Sequence, residues 1–362
     1  MQKKPNTYAF VDALKFAVIM AIVLNHAIQY KWNAYKYITN ACQNPALIFA
    51  SGLIFSFCIV DLGKYRTFRD VLNKKAHRLM VPYLLTAFLY YLPLRMAASI
   101  VTHANDVFSG PIFKIGLVFL MGEQTDHLWF IYALFLMYLI IYPVVSHKNF
   151  AKSIPAQIAL MFVAFVINLV GTKVSSTVFC LQQIMLYSVF FAGGYLFNLH
   201  ARDLFGDGKK RLRVVLLVLS VIVTAVVDYI DHRVGYLPNM QYAGSLASSL
   251  LFAGMEILKQ FGLIYILMVA IQFLYEKTSL FRIPCIAYLS KNSFNIYLFH
   301  QPLVKVFLKL LPDVSSDSAN FFRSVCAATL SVIGALVVSF TVDRAYAFLK
   351  TKMKSQTKHT AG

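Results

Sequence analysis

Apolar stretches of about 20 residues recur along the chain, separated by short loops that carry most of its lysines and arginines. A helix of about that length crosses the roughly 30 Å of hydrocarbon in a bilayer. The pattern predicts an all-α fold, a polytopic membrane bundle of about ten transmembrane helices, near 9–30, 45–62, 79–101, 127–145, 155–172, 179–198, 214–234, 243–275, 294–311 and 321–349. The composition agrees, because only 14% of the 362 residues are charged, whereas a soluble domain carries about a quarter. The apolar segment Phe16–Leu24 reads as part of the first span and not as a cleaved signal, since no small-residue cleavage site follows it.

A formal charge of +19 raises the possibility of a nucleic-acid partner, but the placement of the charge argues against one. With a cytoplasmic N-terminus, 22 of the 34 lysines and arginines fall on one face, in runs such as Lys64 to Arg78 and Lys209 to Arg213, against eight on the other. That bias predicts cytoplasmic N- and C-termini and a multi-pass protein of the inner membrane. Residues 1–350 read as a single transmembrane domain and 351–362 as a short basic cytoplasmic tail. The longest outer loop, about 102–126, holds an apolar stretch from Pro111 to Met121 that lies along the interface or dips into the bundle. Cys42, Cys58, Cys180, Cys285 and Cys326 are far apart, without metal-ligand spacing, and read as small buried hydrophobes. No metal site is expected.

Ionisable side chains are costly in lipid and mark function where they occur. The first span carries Asp12, Lys15, Asn25 and His26. Lys15 and His26, eleven residues apart, share a helical face about 16 Å apart along the axis. His26 has two readings, a general base that accepts a hydroxyl proton or an interhelical hydrogen-bonding residue. Lys15 has a second reading as a snorkelling anchor. His300, in SFNIYLFHQPLV, lies two turns into the ninth span just before Pro302, whose freed carbonyl often accompanies a cavity. It reads as a substrate-orienting or proton-carrying residue, or as a structural histidine. In the loop after the second span, Lys75 and Arg78 stand three apart, where they would share a helical face. They suit the phosphates of a nucleotide-containing donor or plain positive-inside anchoring. HLWF at 127–130 reads as an interfacial aromatic anchor and FASG at 49–52 as a close helix contact. Glu256 and Lys259 fall in an overlong eighth span, where a tilt or break is expected.

Five of these segments, in order from residue 12 to 302, resemble the membrane acyltransferase family 3, whose members O-acylate bacterial surface polysaccharides. DALKFAVIMAIVLNH is similar to the family's basic residue, ten-residue gap and histidine, here Lys15 and His26. FASG resembles its aromatic-x-Ser-Gly turn, and KKAHRLMVPY its basic-x-x-Arg before proline, here Lys75, Arg78 and Pro82. HLWF and SFNIYLFHQP resemble its fourth-helix and late histidine elements. The resemblance implies acetyl-coenzyme A, or another acyl-coenzyme A, as donor substrate, with no permanently bound cofactor. It also implies a glycan or lipid-linked saccharide acceptor handled toward the outer side. It assigns His26 and Lys15 to catalysis and Lys75 and Arg78 to the donor site, with His300 beside them. Lysine replaces the commoner arginine at both basic positions, which removes the bidentate fork there. The rival reading is a proton-coupled secondary transporter running through Lys15, His26, Glu256 and His300, though no paired half-sequences support it.

Overall fold

In a computed structural model of the protein, residues 9–28, 34–93, 116, 120–122, 126–176, 178–234, 246–314 and 316–359 are described, and their regular elements are all helical. The α-helices are α1 Ala9–Ala27, α2 Ala34–Ser56, α3 Phe68–Lys75, α4 Val81–Thr86, α5 Trp129–Val145, α6 Ile154–Gly171, α7 Leu181–His200, α8 Lys210–Val234, α9 Leu246–Lys277, α10 Pro284–Lys291, α11 Ser293–Leu310 and α12 Asp317–His359.

Among the described residues, seven segments are long and apolar enough to cross a membrane: Phe10–Ala27, Ala41–Asp61, Ile154–Gly171, Val178–His200, Lys210–Arg233, Leu250–Lys277 and Asp317–Val342. The sequence pattern predicts about ten, and the three differences have separate causes. Helix α5 is apolar but only 17 residues long. Helix α11 has the length, but Asn295, His300, Gln301, Lys305 and Lys309 dilute its apolar character. The span expected at 79–101 begins as the short α4 between π turns at Ala76–Met80 and Ala87–Tyr91. Residues 94–100 lie outside the described residues, as does most of the 102–126 loop with its Pro111–Met121 stretch. Of the tilt or break expected in the eighth span, no break occurs among the described residues. Helix α9 runs 32 residues without interruption, about 48 Å, which exceeds the hydrocarbon thickness and is accommodated by tilt or projection.

Burial separates interior helices from lipid-facing ones. The spanning windows of α1 and α2 are each 61% buried, against 11% for that of α8. Along α8, Val214, Val215, Val218, Leu219, Ile222 and Val226 are all exposed. Such a face would be an aggregation hazard in water and is the expected surface against lipid chains.

Contacts divide the chain into two compact units. The first comprises Met1–Val18 and Asn40–Arg282. Within it α6 packs on α7, α8 on α9, and α5 against both α3 and α7. Small residues set the closest crossing. A Cβ on Gly52 of α2 would fall on the Phe191 carbonyl of α7, and one on Gly194 would fall on the Phe49 carbonyl. The close-contact reading of FASG therefore holds, since only hydrogen at both positions lets the backbones meet. Gly52→Ala is expected to force the two helices apart and destabilise the protein by about 1–3 kcal/mol, read as a lower Tm in detergent. Gly194→Ala should act at the same crossing, so the double variant should fall short of the sum.

The second unit comprises Ile19–Thr39 and Ile283–Gly362, with α11 packed along α12. Asn295 donates to the Ser339 hydroxyl at 2.7 Å across that packing. The C-terminus of α11 is capped by Arg323, which donates to the carbonyls of Leu308 and Leu311 and pairs with Asp313 at 2.8 Å. A cation there satisfies carbonyls that have no helical partner and complements the helix dipole.

Candidate active site

Two of the candidate residues meet in the second unit. The rings of His26, at the end of α1, and His300, in α11, lie with centroids 5.4 Å apart at 40°. Helix α11 passes unbroken through Pro302. His300 is completely buried. Its Nδ1 lies 2.8 Å from the Tyr297 carbonyl. A carbonyl can only accept, so Nδ1 carries the proton of the neutral ring and Nε2 presents the lone pair. The Tyr297 ring packs 5.8 Å from that of His300 and adds to its restraint. His26, by contrast, is exposed. The pair thus consists of one accessible imidazole and one rigidly oriented imidazole behind it.

Lys75 and Arg78 belong to the first unit. Local sequence starts α3 where it does. Thr67 accepts from the Asp70 amide at 3.1 Å, and the Asp70 carboxylate accepts from the Thr67 and Arg66 amides, a capping box contributing about 1 kcal/mol. From that start Val71 and Lys75, one turn apart, both face inward and are buried. The π turn Ala76–Met80 then shifts the helical phase, and Arg78 is exposed. The shared face expected of residues three apart is therefore not kept, because the ladder widens between them.

Lys75 is enclosed by aromatic rings. Its Nζ stands 3.4 Å from the centroid of Tyr138, 5.3 Å from Phe55 and 5.4 Å from Tyr65. Ser51 of the FASG segment donates to the Leu47 carbonyl at 2.8 Å and stands beside Tyr138, and Tyr142 donates to the Tyr65 carbonyl at 3.4 Å. Burial first, and then the neighbouring Arg78, push the Lys75 ammonium down to about 7, with Lys64 and Lys15 adding smaller repulsions. The rings act the other way, since their faces favour a cation. The arrangement is a basic cluster of Lys75, Arg78 and Lys64, to which α1 contributes Lys15.

Lys15 itself pairs with Asp12 one turn earlier, at 2.7 Å. Helix α1 runs unbroken from Lys15 to His26. Glu256 and Lys259, three residues apart in α9, pair at 2.7 Å, and Asp228 of α8 adds a contact at 3.5 Å. Glu256, a member of the transporter path, is thus committed to a buried lysine.

A family model described as an acyltransferase domain matches residues 8–343. The chain belongs to the acyltransferase 3 family. No curated protein and no solved structure matches it. As a member of that family it is a multi-pass membrane acyltransferase, and the family implies acyl-coenzyme A as the donor.

Sequence reasoning about this acyltransferase singled out His26, His300, Lys15, Lys75 and Arg78, and the structure brings the histidines together and gathers the cations separately. It missed the ring box of Phe55, Tyr65 and Tyr138. Aromatic residues within apolar helices give no signal of their own, and only Ser51 lay in a segment already noticed. Asp12 as the partner of Lys15 was open to view in the three-residue spacing.

Proposed function

We propose that the protein transfers an acetyl group from acetyl-coenzyme A to a sugar hydroxyl of a cell-surface or lipid-linked glycan, producing an O-acetylated polysaccharide. The observation that carries this reading is the pairing of His26 and His300. An accessible imidazole beside a second one held in a single tautomer suits proton transfer from a hydroxyl.

In the proposed reaction the acceptor oxygen attacks the thioester carbonyl while His26 takes its proton. The new C–O bond forms, the C–S bond breaks, and the coenzyme A thiolate leaves with the proton returned by His26. His300 orients the His26 ring and the acceptor. Arg78 and Lys75 hold the donor phosphates, for which a pair of cations is the natural counterpart. Helix α1 contributes to both clusters, Lys15 to one and His26 to the other.

The proposed topology places both termini in the cytoplasm of a cell with an inner membrane, residues 1–350 forming one domain and 351–362 a basic tail. The strong lysine and arginine bias supports it. The donor then binds from inside, while the acceptor is handled toward the outer face. In sealed, right-side-out vesicles, labelled acetyl-coenzyme A loaded inside should label a glycan acceptor outside. Donor added only outside should give little product, because its charged phosphates do not cross lipid unaided. Equal labelling from either side would overturn the trans-bilayer arrangement, and no labelling from either side would overturn the transferase reading.

A further inference from the structure

A groove of about 760 Å³ runs between α6, α7 and α9, and none of the chemistry above uses it. Ile158, Phe162, Phe165, Val189, Leu196 and Phe261 make its walls apolar. It extends along α6 from Ile154 to Phe165, eleven residues or about 16 Å, which is close to one leaflet of a bilayer with a 30 Å core. One end is polar. Gln157 is buried there and donates to the carbonyls of Phe150 and Ala151 at 2.9 and 3.1 Å, so its oxygen faces His200, 2.5 Å away. His200 must therefore donate from Nε2 to that oxygen, which fixes the ring at the groove mouth.

The same end is positively charged. Exposed Lys148 and Lys152 lie in the turn that leads into α6, and the chain holds no aspartate or glutamate from His127 to Arg202. A second cavity of about 430 Å³ adjoins this turn, lined by His147, Asn149, Phe150 and Ser153. An apolar slot one leaflet deep, with two exposed lysines at its polar end, is complementary in shape and charge to an anionic lipid.

We propose that the groove binds one anionic phospholipid, with an acyl chain between α6, α7 and α9 and its phosphate at Lys148 and Lys152. A zwitterionic lipid fits the slot equally but gains less from the lysines, each of which contributes about fivefold in affinity near a charged headgroup. The site is separate from the acyl transfer chemistry and makes the enzyme responsive to the composition of its own membrane.

The test uses the full chain in mild detergent, titrated with phosphatidylglycerol or phosphatidylethanolamine of identical acyl chains, with bound lipid counted by native mass spectrometry. One phosphatidylglycerol should bind several-fold more tightly than phosphatidylethanolamine. Lys148→Ala with Lys152→Ala should remove that preference. Ile158→Trp, at a position 64% exposed and therefore tolerant of bulk, should fill the slot and remove both lipids with Tm unchanged. Equal affinity for the two lipids in the wild type would overturn the proposal. So would phosphatidylglycerol retained at full occupancy in Ile158→Trp.

Discussion

His26→Gln is expected to insert and fold normally and to lose about 10²–10⁴-fold in acyl transfer, the usual contribution of a general base. Glutamine has a similar reach and can still donate and accept a hydrogen bond, so an interhelical structural role would survive the change. It cannot take up a proton at neutral pH, so the proposed base would not survive. Because His26 is exposed, the substitution should leave Tm within a degree or two, unlike a change at the completely buried His300. The loss should appear in kcat, with the donor KM little altered, since the phosphate-holding cations are not touched. Near wild-type turnover in His26→Gln would return the residue to an interhelical hydrogen-bonding role.

His26 and His300 were legible because an ionisable residue in an apolar run stands out against its neighbours, whatever the fold. Their meeting at 5.4 Å was not legible from spacing, because nearly the whole chain separates them. Gly52 was legible for the same kind of reason, a small residue where lipid-facing helices favour larger ones, although its partner carbonyl on Phe191 was not. The separation of Lys75 and Arg78 onto different faces could not be read. Spacing arguments assume an uninterrupted period of 3.6, and the π turns around α4 reset the phase twice within 20 residues. The span count failed at the helices whose apolar character is marginal. Helix α5 has 17 residues, at the short end of what crosses a bilayer, and α11 carries the polar side chains that make it a candidate for chemistry. Residues that give a membrane helix its function also weaken the signal by which it is recognised as one.

Arg78→Ala and Lys75→Met are each expected to raise the donor KM by roughly 10- to 150-fold, as for losing one charge-assisted contact of about 1.5–3 kcal/mol. Turnover at saturating donor should change less, because phosphate contacts exist in both ground and transition states. The two variants separate on pH. The Lys75 ammonium has been pushed down to about 7 by burial and Arg78, so below that pH it is charged and above it becomes a neutral amine. Donor affinity should therefore fall as pH rises through 7, by up to about tenfold per unit while the complex retains the proton. Folding responds with the opposite sign, since between about 7 and the ordinary value of 10.5 the unfolded chain binds more protons and stability rises with pH. Methionine fills the box of Phe55, Tyr65 and Tyr138 without a charge, so in Lys75→Met the affinity should be lower and its fall near pH 7 should vanish. Arg78→Ala should keep a pH dependence and shift it upward, because removing the neighbouring cation lets Lys75 hold its proton longer. An unchanged donor KM in Lys75→Met with the wild-type pH profile intact would leave Lys75 as an anchor and confine donor binding to Arg78.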